Sequence, residues 1–434
     1  MRDLRKNGRT EQRTTEPRTP MPLPFVEEQL PNGLKIVIEI MPHVKSAACG
    51  FLVRTGARDE TPALAGVSHF LEHMCFKGTP RRTWRDISVE FDEMGSHYNA
   101  FTSKSRTFYH GWVRAGDIER QTGLLADMMQ SALPPDEFDM EKGVILEEIA
   151  MSNDQLEQLA YHLLHEKVFA GGPMAWPVLG YEETVRALTR EQMREYFLRR
   201  YVPDNMIFIA AGNLDASQTV AAVKRLCDGW TPRGVTGNGV RTPPAFHRGT
   251  AVRQVERFNQ QAILLAFPAA SARDEQQEES AALAAILGGE NSRFYWNIVQ
   301  TGIAPRASVW HEDYEDCGLM ILYGIGDPEN AEKLAEAMQR EAIEITTKGV
   351  TEQEVQRVRN KRRTQLAAEA EAPYYRLLQI MDDVDYRGHP RTIEERLERV
   401  NRVTADSIAA CLKRFPITDD GYFVSVGPRD WPPV

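Results

Sequence analysis

Apolar and polar positions change period several times along the chain, and each change marks an element. Residues 34–40 and 47–54 are short runs rich in Val, Ile, Leu and Phe, set off by Asn32-Gly33 and Pro42-His43, and they predict strands entered through turns. From Val67 the spacing becomes helical: at about 100° per residue, Val67, Phe70, Leu71 and Met74 gather on one side. Ile87, Phe91 and Met94 give residues 84–94 the same period, closed by Gly95. Residues 98–101 and 107–113 read as neighbouring strands, 141–149 and 156–169 as helices, and 171–180 as a loop. A capped helix at 189–199 leads to a strand at 206–211 that ends in Gly212-Asn213.

The stretch 231–247 holds Pro232, Gly234, Gly237, Gly239, Pro243 and Pro244 with few apolar residues, and reads as a linker. Beyond it the pattern starts again. Ala57-Arg58-Asp59-Glu60 recurs as Ala272-Arg273-Asp274-Glu275, and Gly212 recurs as Gly427, both at an offset of 215 residues. Two matches at one offset point to a duplication. Helical runs at 351–371 and 404–415 and a strand at 421–426 complete the second half.

The polar side of the 67–74 helix carries the chemistry. With His69 at 0°, Glu72 falls near −60° and His73 near +40° at about 100° per residue, opposite the apolar stripe. Two imidazoles at i and i+4 suit a zinc ion, and a carboxylate between them can serve as general base. The order H-x-x-E-H is the inverted form of the commoner zinc-peptidase motif. A catalytic zinc takes three protein ligands, so a third must come from elsewhere. Glu141 and Glu148 are two helical turns apart and project from one side, whereas Glu147 points away. Glu148 is assigned as the third ligand, and Glu141 as a carboxylate that orients a ligand or the water. His162 and His165, at i and i+3, read as a half-exposed helix face, and His43, His97, His110, His247 and His311 lack a ligand-spaced partner.

Composition narrows the setting. The 434 residues, 42% hydrophobic, are enough for two or more domains, and no apolar run approaches the ~18 residues of a membrane span. A net charge of −10 argues against general nucleic-acid binding and predicts an acidic surface suited to basic peptides. Cys49, Cys75, Cys227, Cys317 and Cys411 are odd in number and scattered, as expected of reduced, buried thiols in a cytoplasmic protein. Residues 1–21, rich in Arg, Thr and Pro, predict a disordered basic tail with neither a secretory apolar segment nor a targeting helix.

The motif resembles the pitrilysin, insulin-degrading enzyme and mitochondrial processing peptidase family of zinc metallopeptidases. The likeness extends from about residue 30 to 428 and rests on H-x-x-E-H followed by 74 intervening residues and Glu148. Gly56, Arg58 and Glu60 before the motif, Phe76-Lys77-Gly78-Thr79 after it, and Asn99-Ala100-Phe101-Thr102 beyond also match. The resemblance implies an α+β fold of two homologous halves, each a mostly antiparallel sheet packed with helices, closing on a peptide-sized chamber. It makes Asn99, Ala100 and Phe101 an exposed edge strand that pairs with substrate backbone. The expected division is a tail at 1–21, a zinc-binding peptidase domain at 22–232, a linker at 233–249 and a homologous domain without a metal site at 250–434. At the 215-residue offset His69, Glu72 and His73 become Ala284, Leu287 and Gly288, so one Zn2+ per chain is expected.

One departure stands out. Single-chain members and many active subunits of the family carry an Arg seven residues before a Tyr, after a Gly-Gly-x-x-Ser-Arg segment, to grip substrate near the metal. Here Gly288–Arg293 supplies the lead-in, but Val299 and Pro305 occupy the expected positions after a one-residue deletion, and Tyr295 and Arg306 read as structural. Two functions from different classes follow. The first is a zinc endopeptidase with Glu72 as base, paired with a homologous subunit that lacks zinc ligands but carries the Arg and Tyr, a homodimer being the alternative. The second is a non-catalytic structural or chaperone-like subunit of the same family.

Overall fold

The computed structural model describes residues 25–234, 242–418 and 421–432, so the basic tail at 1–21 and much of the linker lie outside the described residues. The chain forms two mixed sheets packed with helices, which places it in the α+β class. The first sheet contains β1 (Phe25–Gln29), β2 (Lys35–Ile40), β3 (Ser46–Val53), β4 (His97–Thr102), β5 (Thr107–Arg114) and β6 (Met206–Gly212). Their order is β1-β2-β6-β3-β5-β4, with β2 and β6 parallel and the other neighbours antiparallel. The second contains β7 (Gly249–Gln254), β8 (Gln261–Ala269), β9 (Arg306–Asp313), β10 (Gly318–Gly326) and β11 (Tyr422–Gly427), in the order β7-β11-β8-β10-β9. Again one pair, β7 and β11, is parallel. Without β1 the two orders superimpose strand for strand, as the duplication predicts.

The repeated glycines share a reason. Gly212 and Gly427 close equivalent strands at φ 135° and 156°, and a Cβ at either would meet backbone at 2.5–2.6 Å, on Ala47 in one half and Gln260 in the other. Only glycine fits both demands.

Each half buries one sheet face under its own helices. Phe51, Phe208, Phe70, Phe91 and Tyr109 form the first core, and Ile263, Phe294, Leu322 and Leu412 the second. The other face of each sheet is covered from across the molecule. Leu377, Ile380, Met381 and Val384 of the helix Pro373–Arg387 pack on Val37, Leu52, Phe108 and Ile209 of the first sheet. Reciprocally, Leu159, Ala160, Leu163 and Leu164 of Leu156–Val168 pack on Leu264, Ile321 and Val424 of the second. The halves thus exchange equivalent helices.

Buried ion pairs fix the exchange. Arg376, 1% exposed, donates to Glu39 at 2.7 Å; Arg106 reaches the buried Asp385 at 3.3 Å, with the half-exposed Asp382 beside it; and Arg58 holds Asp316 through two bonds of 2.9 and 2.8 Å. Removing one partner of a buried pair leaves the other charge uncompensated, at about 3–5 kcal/mol.

The sequence pattern places β2 to β6 and β11 within a residue or two of their observed ends, but it gives no sign of β1, of β7 to β10, or of helices such as Gln277–Gly288 and Pro373–Arg387. Four cysteines are buried as expected; Cys317 is half-buried, and all five are free thiols.

Candidate metal centre

The motif helix, Val67–Cys75, starts at Gly66 in the left-handed region, φ 96°, immediately beyond a buried acid. Glu60 accepts from the N–H groups of Gly66 at 2.8 Å and Ser68 at 2.7 Å, satisfying donors that an isolated helix N-terminus leaves open. Burial pushes the Glu60 carboxyl up to about 8, against those two N–H groups. Val67, Phe70, Leu71 and Met74 are fully buried, so the apolar stripe anchors the helix, and its edge at Phe70 meets the helix Pro135–Asn153. Phe70 stacks on Phe138 of that helix at 4.8 Å, which brings its acids across from the histidines.

His69, His73 and Glu148 converge. Their donor atoms lie within 4.8 Å of one another, and Glu148 Oε2 stands 3.8 Å from the Nε2 atom of each histidine. Glu147, one residue earlier, is exposed. Glu141 Oε1 bonds His73 Nδ1 at 2.7 Å, which turns Nε2 of that ring toward Glu148, and Glu141 Oε2 takes Lys77 Nζ at 2.5 Å. Burial, aided by the neighbouring His73, pushes the His69 imidazole down to about 3, so its ring is neutral at pH 7. Burial acts on His73 in the same direction, but the Glu141 bond and the charges of Glu148, Glu141 and Glu72 outweigh it and hold that ring above its ordinary value. Two imidazole nitrogens and a carboxylate around one point, with one ring oriented from behind by a second carboxylate, fit a zinc ion.

Glu72 sits beside this cluster. Burial holds its carboxyl above the ordinary range, while the Thr102 hydroxyl donates to Oε2 at 2.5 Å and opposes the shift. Thr102 ends β4, the outermost strand of the first sheet. Asn99 is exposed, Ala100 buried and Phe101 half-buried; the Ala100 N–H donates to Asn99 Oδ1 at 2.9 Å.

Thr102 and Lys77 fall within the motif segments, and only their contacts give them a role. Sequence distance hides both: Thr102 meets Glu72 across 30 residues and Lys77 meets Glu141 across 64. Of the histidines set aside, His165 is buried rather than on a half-exposed face, because it is covered by the second sheet. His165, 2% exposed, bonds Glu312 of β9 at 3.0 Å, and His110 stands 5.5 Å from the Tyr374 ring. At the departure from the family pattern, Val299 ends a short π-helix at Tyr295–Val299 and Arg306 pairs with Glu157 at 2.5 Å.

A family model described as "Insulinase (Peptidase family M16)" matches residues 35–182, and one described as "Peptidase M16 inactive domain" matches residues 187–362. The uncharacterized zinc protease YmxG of Bacillus subtilis is 30% identical over 92% of this chain and 97% of its own. An uncharacterized zinc protease of Streptomyces coelicolor is 31% identical, covering 88% of this chain and 85% of its own. The crystal structure of a protease from Helicobacter pylori shares the fold at a TM-score of 0.86 and 18% identity, over 93% of this chain and 99% of that one. With both halves matched by models of one family and relatives aligned over most of its length, the chain belongs to peptidase family M16.

Proposed function

We propose that the chain is a zinc endopeptidase acting on extended peptides or unfolded segments, with His69, His73 and Glu148 holding one zinc and Glu72 as general base. The observation that carries this reading is the meeting of three ligand atoms with Glu72 one helical step away. Zinc held there would polarise a peptide carbonyl and make water acidic enough to attack it. Glu72 would take a proton from the attacking water and pass it to the leaving amine. The Thr102 hydroxyl fixes the Glu72 carboxylate, and Glu141 fixes the His73 ring, so neither group has to reorganise during the reaction. Asn99, Ala100 and Phe101 lie on an edge strand, whose outward backbone groups take an extended peptide with little sequence preference once the Asn99 side chain leaves the Ala100 N–H.

The chain acts in the cytoplasm as the catalytic subunit of a heterodimer. Val299 and Pro305 stand where the substrate-gripping Arg and Tyr are expected, and the nearby Arg306 is engaged by Glu157. A homologous subunit without zinc ligands supplies the pair, and a homodimer is the alternative. None of the described helices is long and apolar enough to cross a membrane.

Elemental analysis and cleavage of a quenched peptide test both parts. The expected result is about one zinc per chain, slow cleavage by the chain alone and faster cleavage with the homologous subunit. No zinc after metal loading would overturn the peptidase reading; full activity unaffected by any homologous subunit would overturn the heterodimer.

A further inference from the structure

The second half contains a groove that the peptidase chemistry leaves unused. It runs between the helices Gln277–Gly288 and Glu352–Glu369, which occupy in this half the places that the motif helix and the Glu148 helix occupy in the first. Its volume is about 870 Å³. The floor is apolar, formed by Ala282, Ile286, Val355, Val400 and Val403, and the exposed Ala285 keeps it open where a larger side chain would fill it. Trp296, 52% exposed, stands on the rim.

The charge of this groove runs against that of the chain. A protein of net charge −10 places Arg357, Arg359, Lys361, Arg362 and Arg363 within seven residues of one helix. All but Arg363 line the groove, together with Arg293. Internal acids answer only part of this charge. Arg293 is taken by Glu354 at 2.7 Å, and Lys361 lies 3.7 Å from Glu290. Arg359 bonds the Val403 carbonyl and the Gln356 side chain. Among the described residues, no acid pairs with Arg357, Arg359 or Arg362.

Three arginines without acidic partners over an apolar floor define the chemistry of an occupant. Guanidinium groups bind carboxylates through paired, charge-assisted bonds, and a floor of Ala, Val and Ile takes apolar side chains. We propose that this groove binds an acidic peptide segment carrying apolar side chains, Arg357 and Arg362 holding its carboxylates and the floor its aliphatic groups. The site uses no residue of the metal centre, so it stands or falls independently of the zinc chemistry.

The test is fluorescence anisotropy with labelled peptides of alternating Leu and Glu, or alternating Leu and Lys, added to the full-length Glu72→Gln chain so that nothing is cleaved. The acidic peptide is expected to bind saturably and more weakly as salt rises, and the basic one not to bind. Arg357→Glu with Arg362→Glu should weaken binding by about 10-fold or more, as loss of two charge-assisted contacts requires. Ala285→Trp, which fills the floor without changing charge, should weaken it comparably. Thermal unfolding verifies that each variant is folded, and the two act by separate means, so a misfolded one leaves the other decisive. Equal binding of both peptides, or of the acidic peptide to wild type and a folded variant, would overturn the proposal. So would displacement by inorganic tripolyphosphate combined with no effect of Ala285→Trp, which would make the groove a bare anion site.

Discussion

Glu141 Oε1 lies 2.7 Å from His73 Nδ1, on the far side of the ring from the Nε2 atom that faces Glu148. Burial raises the Glu141 carboxyl, but its bonds to His73 and Lys77 outweigh that and hold it below the ordinary range, so it stays ionised behind the ring. Glu141→Gln keeps the shape and removes the charge. It is expected to lower zinc affinity by about 10–100-fold, as for other partners of metal-bound histidines. Competition with a chromophoric chelator measures this; unchanged affinity would assign Glu141 to Lys77 alone.

Glu72→Gln separates base from ligand. The amide preserves size and can still accept from Thr102, yet it cannot take a proton. Zinc content should equal that of wild type while peptide cleavage falls by about 10²–10⁴-fold. Loss of zinc as complete as in His69→Ala would make Glu72 a ligand and remove it as base.

The exchanged helices predict cooperative unfolding. Leu377 belongs to the second half in sequence but is fully buried against Val37, Leu52 and Phe108 of the first sheet. Leu377→Ala should cost about 2–5 kcal/mol and lower the urea midpoint of a single transition. Two separated transitions, only one of them shifted, would show that the halves unfold independently.

Acid should weaken the contact between the halves through Glu312. Burial pushes this carboxyl up, but the charge and hydrogen bond of His165, with bonds from Trp310 and Tyr161, overcome it and hold it at about 2. A depressed carboxylate contributes stability above its ordinary value near 4.5 and loses it as pH falls through the folded value. About 3 kcal/mol should therefore be lost between roughly pH 5 and 2. Chemical unfolding at stepped pH tests the sign. Glu312→Gln should be less stable at pH 7 and show a flatter curve in that window; an unchanged slope would remove Glu312 from the acid response.

The parts of this protein legible in the sequence are those carried by short-range geometry. The four-residue spacing of His69 and His73, the seven-residue spacing of Glu141 and Glu148, and the apolar stripe of Val67, Phe70, Leu71 and Met74 follow from the pitch of one helix. The offset between Gly212 and Gly427 announces the duplication because both strands end against a neighbour's backbone, where a side chain does not fit. Tertiary structure alone decided which groups meet across the chain. Helical periodicity shows that a helix such as Pro373–Arg387 has an apolar side, but not which sheet will cover it. The choice of the first sheet rests on Leu377 meeting Leu52 and on Arg376 meeting Glu39, 337 residues away. Thr102 on Glu72 and His165 on Glu312 are of the same kind. Each depends on how two distant elements pack, and no local period records that.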